Sequence, residues 1–421
     1  MFAPGPVRGR ISVPGDKSIS HRALLLAAKN DAPTSILNLN PGLDVRATTG
    51  ALRATGTSIT GDAQHTIVRG GTLHSPSITI DCMNSGTTAR LFMGLCAGAV
   101  LHAQLDGDAS LRRRPMEPVS AQLRAFGAQI TTSEGALPAT IWGAPRVQTQ
   151  NFILLAPSAQ VKSALLLAGL YAQKPITISA DHGSRDHTER MLRYWGSDVQ
   201  FDGTIIRYEA GPLKTQDVHI PADLSSAAPF IVAAAITPGS DVCIPGVGLN
   251  PTRTGLLDAL TQMGAHIEIT NRLDRCGEPL GDLRVRHSAL RATNVGPELA
   301  LRAIDEILLL ATACSCAHGT STIRGIRALR GKESDRVDAI GRILHATGME
   351  VDTAHDAITI GGGTPRATNA VVESRGDHRT AMAVAALACI AGPLRIDDDL
   401  PIVTSFPGFV STLRGAQAAE D

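Results

Sequence analysis

Several short stretches of this chain set cations beside small hydroxyl residues just where an apolar run begins, a pattern suited to capturing anions. The first is Gly15-Asp16-Lys17-Ser18-Ile19-Ser20-His21-Arg22, which runs into the Ala/Leu segment 23–28. Val13-Pro14-Gly15 predicts a turn and the following run a buried helix. Ser18 or Ser20 is the expected N-cap, and free backbone N–H groups at such an end attract phosphate or carboxylate. Lys17 and Arg22 add fixed charge there, with Arg22 one turn beyond Ser18 on the same face. The plainer alternative is an ordinary capped helix with a solvated basic turn.

Asp81-Cys82-Met83-Asn84-Ser85-Gly86-Thr87-Thr88-Ala89-Arg90 repeats the arrangement with unobstructed backbone amides and an arginine in the first turn. In Asp106-Gly107-Asp108-Ala109-Ser110-Leu111-Arg112-Arg113-Arg114-Pro115, Arg112 and Arg113 read as a solvated face. Arg114 differs, because the following proline disfavours helical geometry and so fixes its direction. Its planar fork matches a carboxylate or phosphate. Pro157-Ser158-Ala159-Gln160-Val161-Lys162 opens a third apolar run, and Arg185-Asp186-His187-Thr188-Glu189 follows the next strand. His187 reads most simply as a loop residue bonded to Asp186 or Glu189. With no second His or Cys at ligand spacing, it suggests no metal site.

In the second half, Asp305 and Glu306 start a helix, where carboxylates ordinarily just complement the helix dipole. Leu329-Arg330-Gly331-Lys332-Glu333-Ser334-Asp335-Arg336 packs five charges into eight residues, with Ser334 the expected cap. Arg375-Gly376-Asp377-His378-Arg379 does the same for the last apolar run.

These stretches need elements to hold them. The chain has 421 residues, more than one core usually covers, so two domains are expected. Lys+Arg and Asp+Glu both number 39, which gives no general attraction to nucleic acid or anionic membrane. Aromatic residues make up only 3%, which weakens base-stacking or sugar-stacking readings. The seven cysteines form no CxxC pair and read as small apolar core residues of a reducing compartment. No basic n-region precedes an apolar stretch at the N-terminus, and no apolar run reaches the length of a membrane span. A soluble, cytoplasmic protein is expected.

Six Ala/Leu-rich runs, at 21–28, 87–98, 160–169, 225–236, 306–317 and 378–390, are each followed by a short β-compatible segment. Those segments lie at 35–39, 103–105, 176–179, 242–245, 321–326 and 394–397. Five amphipathic helices follow, at 45–55, 119–126, 188–194, 252–263 and 334–347, each closed by a glycine: Gly56, Gly127, Gly196, Gly264 and Gly348. Further strands are expected at 77–80, 129–132, 199–208 and 267–270. Six such blocks suggest two domains of three, divided at His219-Ile220-Pro221-Ala222-Asp223. The β-compatible Arg10-Ile11-Ser12-Val13 is placed to pair back into the second. We expect 13–221 as one domain and 1–12 plus 222–421 as the other, with hinges near 12–14 and 220–223. Apolar on nearly all sides, the first helix of each block must be buried, and two such domains would aim six helix N-termini into one cleft.

Taken together, GDKSISHRALLLAA, NSGTTAR, DGDASLRRRP, SAQVKSALLLAG, RDHTE, IDE, RGKESDR, GDHRTAMA and TSFPGF closely resemble the 5-enolpyruvylshikimate-3-phosphate synthase family, in family order and over nearly the whole chain. The SAQVK and RDHTE forms look like the second of its two main branches. The resemblance implies an α/β (α+β) fold, a two-domain inside-out α/β barrel in which each domain has three βαβαββ units with buried parallel helices. It implies transfer of the enolpyruvyl group of phosphoenolpyruvate to the 5-hydroxyl of shikimate 3-phosphate in an interdomain cleft, with release of phosphate. No metal or organic cofactor is implied. The expected partners are the two substrates alone, with no nucleic acid and no membrane, and the chain is expected to be a monomer. Inhibition by glyphosate in competition with phosphoenolpyruvate is expected too.

By matching positions, Lys17, Ser18, Arg22, Ser158, Ala159, Gln160, Arg185, Asp305 and Lys332 should contact shikimate 3-phosphate. Lys17, Gly86, Arg114, Gln160, Arg336 and Arg379 should contact phosphoenolpyruvate. Lys17, Asp305 and Glu333 are the catalytic candidates, since the hydroxyl must lose a proton while the methylene carbon gains one. Two positions depart from the family pattern: Gly331 stands where Val is usual, and Met83 where Gly is usual. Among rivals, UDP-N-acetylglucosamine enolpyruvyl transferase has Asn after its lysine and a reactive Cys in its mobile loop. Here Ser18 follows Lys17, and 106–115 contains no cysteine. A non-catalytic binder of phosphorylated metabolites would gain nothing from Asp305 and Glu333.

Overall fold

The structure is a computed structural model in which residues 1–179 and 183–419 are described. The chain forms two compact units, one of Gly15–Ile220 with Arg275–Glu278, the other of Met1–Pro14, Pro221–Asp274 and Pro279–Asp421.

The first unit carries helices α1 (Lys17–Ala27), α2 (Leu43–Ala54), α3 (Gly86–Ala99), α4 (Glu117–Phe126), α5 (Ala159–Ala172) and α6 (His187–Tyr194). The all-apolar runs became α1, α3 and α5, and burial follows composition: α1 is buried from Ile19 to Ala27, α5 from Val161 to Tyr171. Glycine lets α3 and α5 approach backbone to backbone. A Cβ on Gly94 would stand 2.3 Å from the Ala164 carbonyl oxygen, and one on Gly98 2.2 Å from that of Ala168.

Three four-stranded sheets enclose these helices. Each has one parallel and two antiparallel pairings, as in Val218–His219 beside Thr34–Leu37, then His65–Arg69 and Ser58–Gly61. That is the hydrogen-bonding signature of a βαβαββ block, in which a helical crossover joins the parallel strands and a hairpin the antiparallel ones.

The second unit carries α7 (Leu224–Ile236), α8 (Gly255–Gln262), α9 (Pro297–Arg302), α10 (Ile307–Ser315), α11 (Arg336–His345), α12 (His378–Ala391) and α13 (Phe409–Ala418). The N-terminal strand, Arg8–Arg10, pairs in parallel with Asp241–Gly248, Arg8 opposite Asp241 and Arg10 opposite Cys243. It falls slightly earlier than 10–13, because Ile11 and Val13 turn into the core. Two sheets here again have four strands. The sixth block departs from the pattern: Val371–Val372 and Arg395–Ile396 form a two-stranded parallel pair, followed by a 3₁₀ turn at Leu400–Thr404 and by α13 where a hairpin would stand. Aromatic packing replaces the missing strands, with Phe409 and Phe406 against Phe230 at centroid separations of 5.4 and 6.3 Å.

Several local expectations need correction. Asp16 caps α1, its Oδ1 accepting from the Ile19 N–H at 2.9 Å, while Ser18 and Ser20 lie inside the helix. Asp335, not Ser334, caps α11. Of 77–80 only Ile80–Asp81 is extended, and 199–208 is two strands, Val199–Phe201 and Ile205–Tyr208, separated by a turn in which Asp202 accepts from Thr204 and Ile205. Cys82, Cys96, Cys314 and Cys389 are buried, but Cys243, Cys276 and Cys316 are only partly so. The five helix-ending glycines all have positive φ, from 72° to 125°. Among the described residues, no helix is long and apolar enough to cross a membrane.

Candidate active site

In the first unit the candidate residues gather at helix starts. Gly15 makes the entry to α1 possible, since a Cβ there would sit 1.8 Å from the Asn38 carbonyl oxygen. Lys17 Nζ donates to Asp44 Oδ2 at 2.6 Å, and Ser18 offers its carbonyl to Arg22 Nη1 at 2.8 Å. Arg22 is buried and ties three helices together: its Nη2 donates to Ser163 Oγ of α5 and its Nε to Thr188 Oγ1 of α6, both at 2.8 Å. Burial lowers its pKa to about 10 against the pull of Glu189 and Asp16.

At α3, Ser85 caps and Gly86 opens the helix. Arg90 then reaches across, Nη1 donating to Gln160 Oε1 at 2.8 Å and Nη2 to the Pro115 carbonyl at 2.7 Å. Gln160 Nε2 donates in turn to Thr87 Oγ1 at 3.0 Å, so the starts of α3 and α5 are laced together. Arg114 is extended, with φ −88° and ψ 134°, as Pro115 requires. Its guanidinium lies against Gly86: a Cβ there would be 2.8 Å from Arg114 Cζ and 2.7 Å from Arg90 Nη1. Arg112 is spent on a two-armed pair with Asp106. Ser158 caps α5, accepting from the Val161 N–H, with Ala159 the first helical residue. Arg185 is partly exposed, just ahead of α6. Cations set at helix N-termini are an arrangement that can attract phosphate and carboxylate groups.

His187 is not a loop residue. It opens α6, fully buried, with Nδ1 2.7 Å from Glu278 Oε1. Asp186 instead accepts from Arg190, and Glu189 pairs with Lys162 at 2.7 Å, both of the latter side chains almost wholly enclosed.

The second unit brings Asp305, Lys332, Glu333, Arg336 and Arg379 into one cluster. Arg336 sits at its centre, 1% exposed: Nη2 donates to Glu333 Oε2 at 2.7 Å, Nη1 to Asp305 Oδ1 at 3.3 Å and Nε to Asp377 Oδ2 at 2.8 Å. Burial disfavours its charge, but Asp377, Glu333 and Asp305 outweigh burial and raise its pKa. Burial likewise pushes the Asp377 carboxyl up, and Arg336 overrides it, holding the group below the usual carboxylate range. Lys332 Nζ stands 3.4 Å from Asp305 Oδ1. Arg379 donates through Nη1 to the Asp305 carbonyl at 2.8 Å and to Glu306 Oε1 at 3.2 Å. Ser225 Oγ donates to Glu306 and accepts from both Arg253 and Arg379.

Reading by sequence neighbourhood left out Asp44, Asp377, Ser225 and Arg253, and took Glu306 only as a complement to the helix dipole, whereas all five orient the charged groups. Asp377 lay inside a singled-out stretch, and its position two before Arg379 was the available signal. Arg253 and Ser225 carried none, since their partners lie 53 and 81 residues away. Among the described residues, no group of three His, Cys, Asp or Glu side chains is arranged to hold a metal ion.

The sequence pattern of EPSP synthase (3-phosphoshikimate 1-carboxyvinyltransferase) matches residues 2–413. This chain belongs to the EPSP synthase family. Relatives named 3-phosphoshikimate 1-carboxyvinyltransferase from Gloeobacter violaceus and Geobacillus kaustophilus are 46% and 43% identical to it, covering 98% and 97% of each chain respectively. An EPSP synthase structure from Acinetobacter baumannii aligns with a TM-score of 0.87 at 37% identity, over 99% of this chain and 97% of that one. The enolpyruvyl transferase NikO from Streptomyces tendae shares the fold, with a TM-score of 0.77 at 17% identity. The two positions expected to depart from the family pattern are Met83 and Gly331. Met83 holds a left-handed φ of 51°, a conformation glycine adopts without strain. At Gly331 a Cβ would meet nothing within 4 Å, so the glycine answers no close approach at that atom.

Proposed function

We propose that the two clusters serve one reaction, the EPSP synthase reaction, in which the enolpyruvyl group of phosphoenolpyruvate passes to the 5-hydroxyl of shikimate 3-phosphate and inorganic phosphate leaves. The observation that carries this reading is Arg336, which holds the carboxylates of Asp305 and Glu333 on one guanidinium. Two carboxylates held together within a cationic cluster are what an addition–elimination needs. In the addition, Asp305 takes or orients the 5-hydroxyl proton as the oxygen attacks C2 of phosphoenolpyruvate, and the methylene carbon gains a proton by way of Glu333. In the elimination, the new methyl group returns a proton and the C–O bond to phosphate breaks, restoring the double bond.

Lys17, Ser18, Arg22, Ser158, Ala159, Gln160, Arg185, Asp305 and Lys332 are assigned to shikimate 3-phosphate. Lys17, Gly86, Arg114, Gln160, Arg336 and Arg379 are assigned to phosphoenolpyruvate, Lys17 also lending its charge to the transition state. Setting two polyanions side by side is the larger task, and fixed cations offset their repulsion. The same reading makes the protein a monomeric cytoplasmic enzyme that needs no metal or organic cofactor. Phosphate release from shikimate 3-phosphate plus phosphoenolpyruvate, undiminished by a chelator, is the test. No release, or release requiring a UDP-sugar acceptor, overturns it.

A further inference from the structure

Buried beneath the anion-binding rim of the first unit, Arg22 has an unusual set of partners. All of them are neutral: the Ser18 carbonyl, Ser163 Oγ and Thr188 Oγ1. Glu189, Asp16 and Glu278 lie near enough to act on its charge, yet none bonds it directly: Asp16 accepts from the Ile19 N–H at 2.9 Å, Glu189 pairs with Lys162 at 2.7 Å and Glu278 with His187 at 2.7 Å. The hydroxyls form a directed chain. Ser163 Oγ donates its one proton to the Ala159 carbonyl at 2.6 Å, so the 2.7 Å contact between Ser163 and Thr188 must have Thr188 as donor. Thr188 then has its oxygen free to accept from Arg22 Nε, and Ser163 accepts from Nη2. Each of the two hydroxyl protons in this buried set has one place to go.

A carboxylate in the same position would fix the guanidinium equally well but would cancel the charge a ligand anion needs. Two neutral hydroxyls orient the fork and leave it without a directly bonded carboxylate in a low-dielectric setting, where an incoming anion feels its charge most. We propose that Thr188, with Ser163 relaying its hydrogen bond to α5, is a positioning residue that holds Arg22 for an anionic group of the acceptor substrate while keeping its guanidinium free of a directly bonded carboxylate. This rests on the assignment of Arg22 to shikimate 3-phosphate.

The test is calorimetric titration of shikimate 3-phosphate alone into the full-length protein and into the variants Thr188→Val, Thr188→Ser, Arg22→Lys and the Arg22→Lys/Thr188→Val double, each first checked by thermal melting. A lost hydrogen bond to a charged group should weaken binding by Thr188→Val about tenfold or more, and Thr188→Ser should restore it to within about threefold. The double variant should bind no worse than Arg22→Lys. If Thr188→Val does not fold, Ser163→Ala takes its place with the same expectation. Weakened binding in Arg22→Lys with wild-type affinity in the folded Thr188→Val or Ser163→Ala overturns the positioning role, as does full additivity in the double. Unchanged affinity in Arg22→Lys overturns instead the assignment of Arg22 itself.

Discussion

Arg336 and Asp377 meet in a two-armed ion pair closed off from solvent, Nε to Oδ2 at 2.8 Å and Nη2 to Oδ1 at 3.3 Å, with side chains 1% and 0% exposed. Asp377 is also the cap of α12, so one carboxylate fixes both a helix start and the arginine that carries Asp305 and Glu333. Asp377→Asn leaves a buried guanidinium without its main counter-charge, which typically costs about 3–5 kcal/mol. Denaturant unfolding should show that loss. The Asp377 pKa is depressed in the folded state, so its contribution is present above the ordinary carboxylate value, about 3.9, and vanishes as pH falls through the depressed one. Wild-type stability should therefore fall more steeply than that of Asp377→Asn in strong acid.

Asp305→Ala and Glu333→Ala should each bind both substrates yet turn over about 10²–10⁴-fold more slowly, the usual worth of general acid–base help. Phosphate-release kinetics with separate binding titrations read the two effects. Wild-type kcat in either variant removes that residue from the proton-transfer assignment.

At Gly86 the added methyl of Gly86→Ala would press on Arg114 and Arg90 at 2.7–2.8 Å, and both are flexible side-chain ends that can swing aside. The displacement should raise KM for phosphoenolpyruvate roughly tenfold, about 1.4 kcal/mol, with far less effect on shikimate 3-phosphate. Glyphosate should inhibit the wild-type protein in competition with phosphoenolpyruvate and the variant more weakly. A wild-type protein indifferent to about millimolar glyphosate, on the affinity scale a very weak binder, overturns this account of the space beside Gly86.

His21 is buried with Nδ1 2.7 Å from Thr48 Oγ1. Burial first, then the charges of Lys17 and Arg22, lower its pKa well below that of a free imidazole. The unfolded chain then takes up a proton near pH 6.5 that the folded chain refuses, so stability should decline as pH drops below about 6.5, by at most about 1.4 kcal/mol per pH unit. His21→Asn keeps a hydrogen-bonding group toward Thr48 and should flatten that slope in unfolding curves taken between about pH 5 and 7.

Composition made the six buried helices legible. A run such as 225–236 has no polar face to turn outward, so its place is settled before any neighbour is known. Amphipathic helices ending in glycine were legible for the same local reason. Caps were harder, because Asp16 and Ser18 are both good caps and two residues of register decide between them. The sixth block escaped because Phe406 and Phe409 pack on Phe230, a contact no local pattern announces. In the site, charged residues inside short motifs stood out. Their anchors did not: Glu278 for His187, Ser163 and Thr188 for Arg22, and Ser225 and Arg253 for Glu306 and Arg379 join positions separated by 53 to 166 residues.

The pairing of Arg8–Arg10 with Asp241–Cys243 bears on how the chain leaves the ribosome. This edge strand precedes the first unit's main segment, Gly15–Ile220, yet its partner among the described strands comes after that segment. While those intervening residues emerge, a short arginine-flanked ribbon waits for its partner strand. The two arginines that bracket it, exposed or half-exposed in the finished protein, keep the waiting segment hydrated and discourage it from adding to a stranger's sheet.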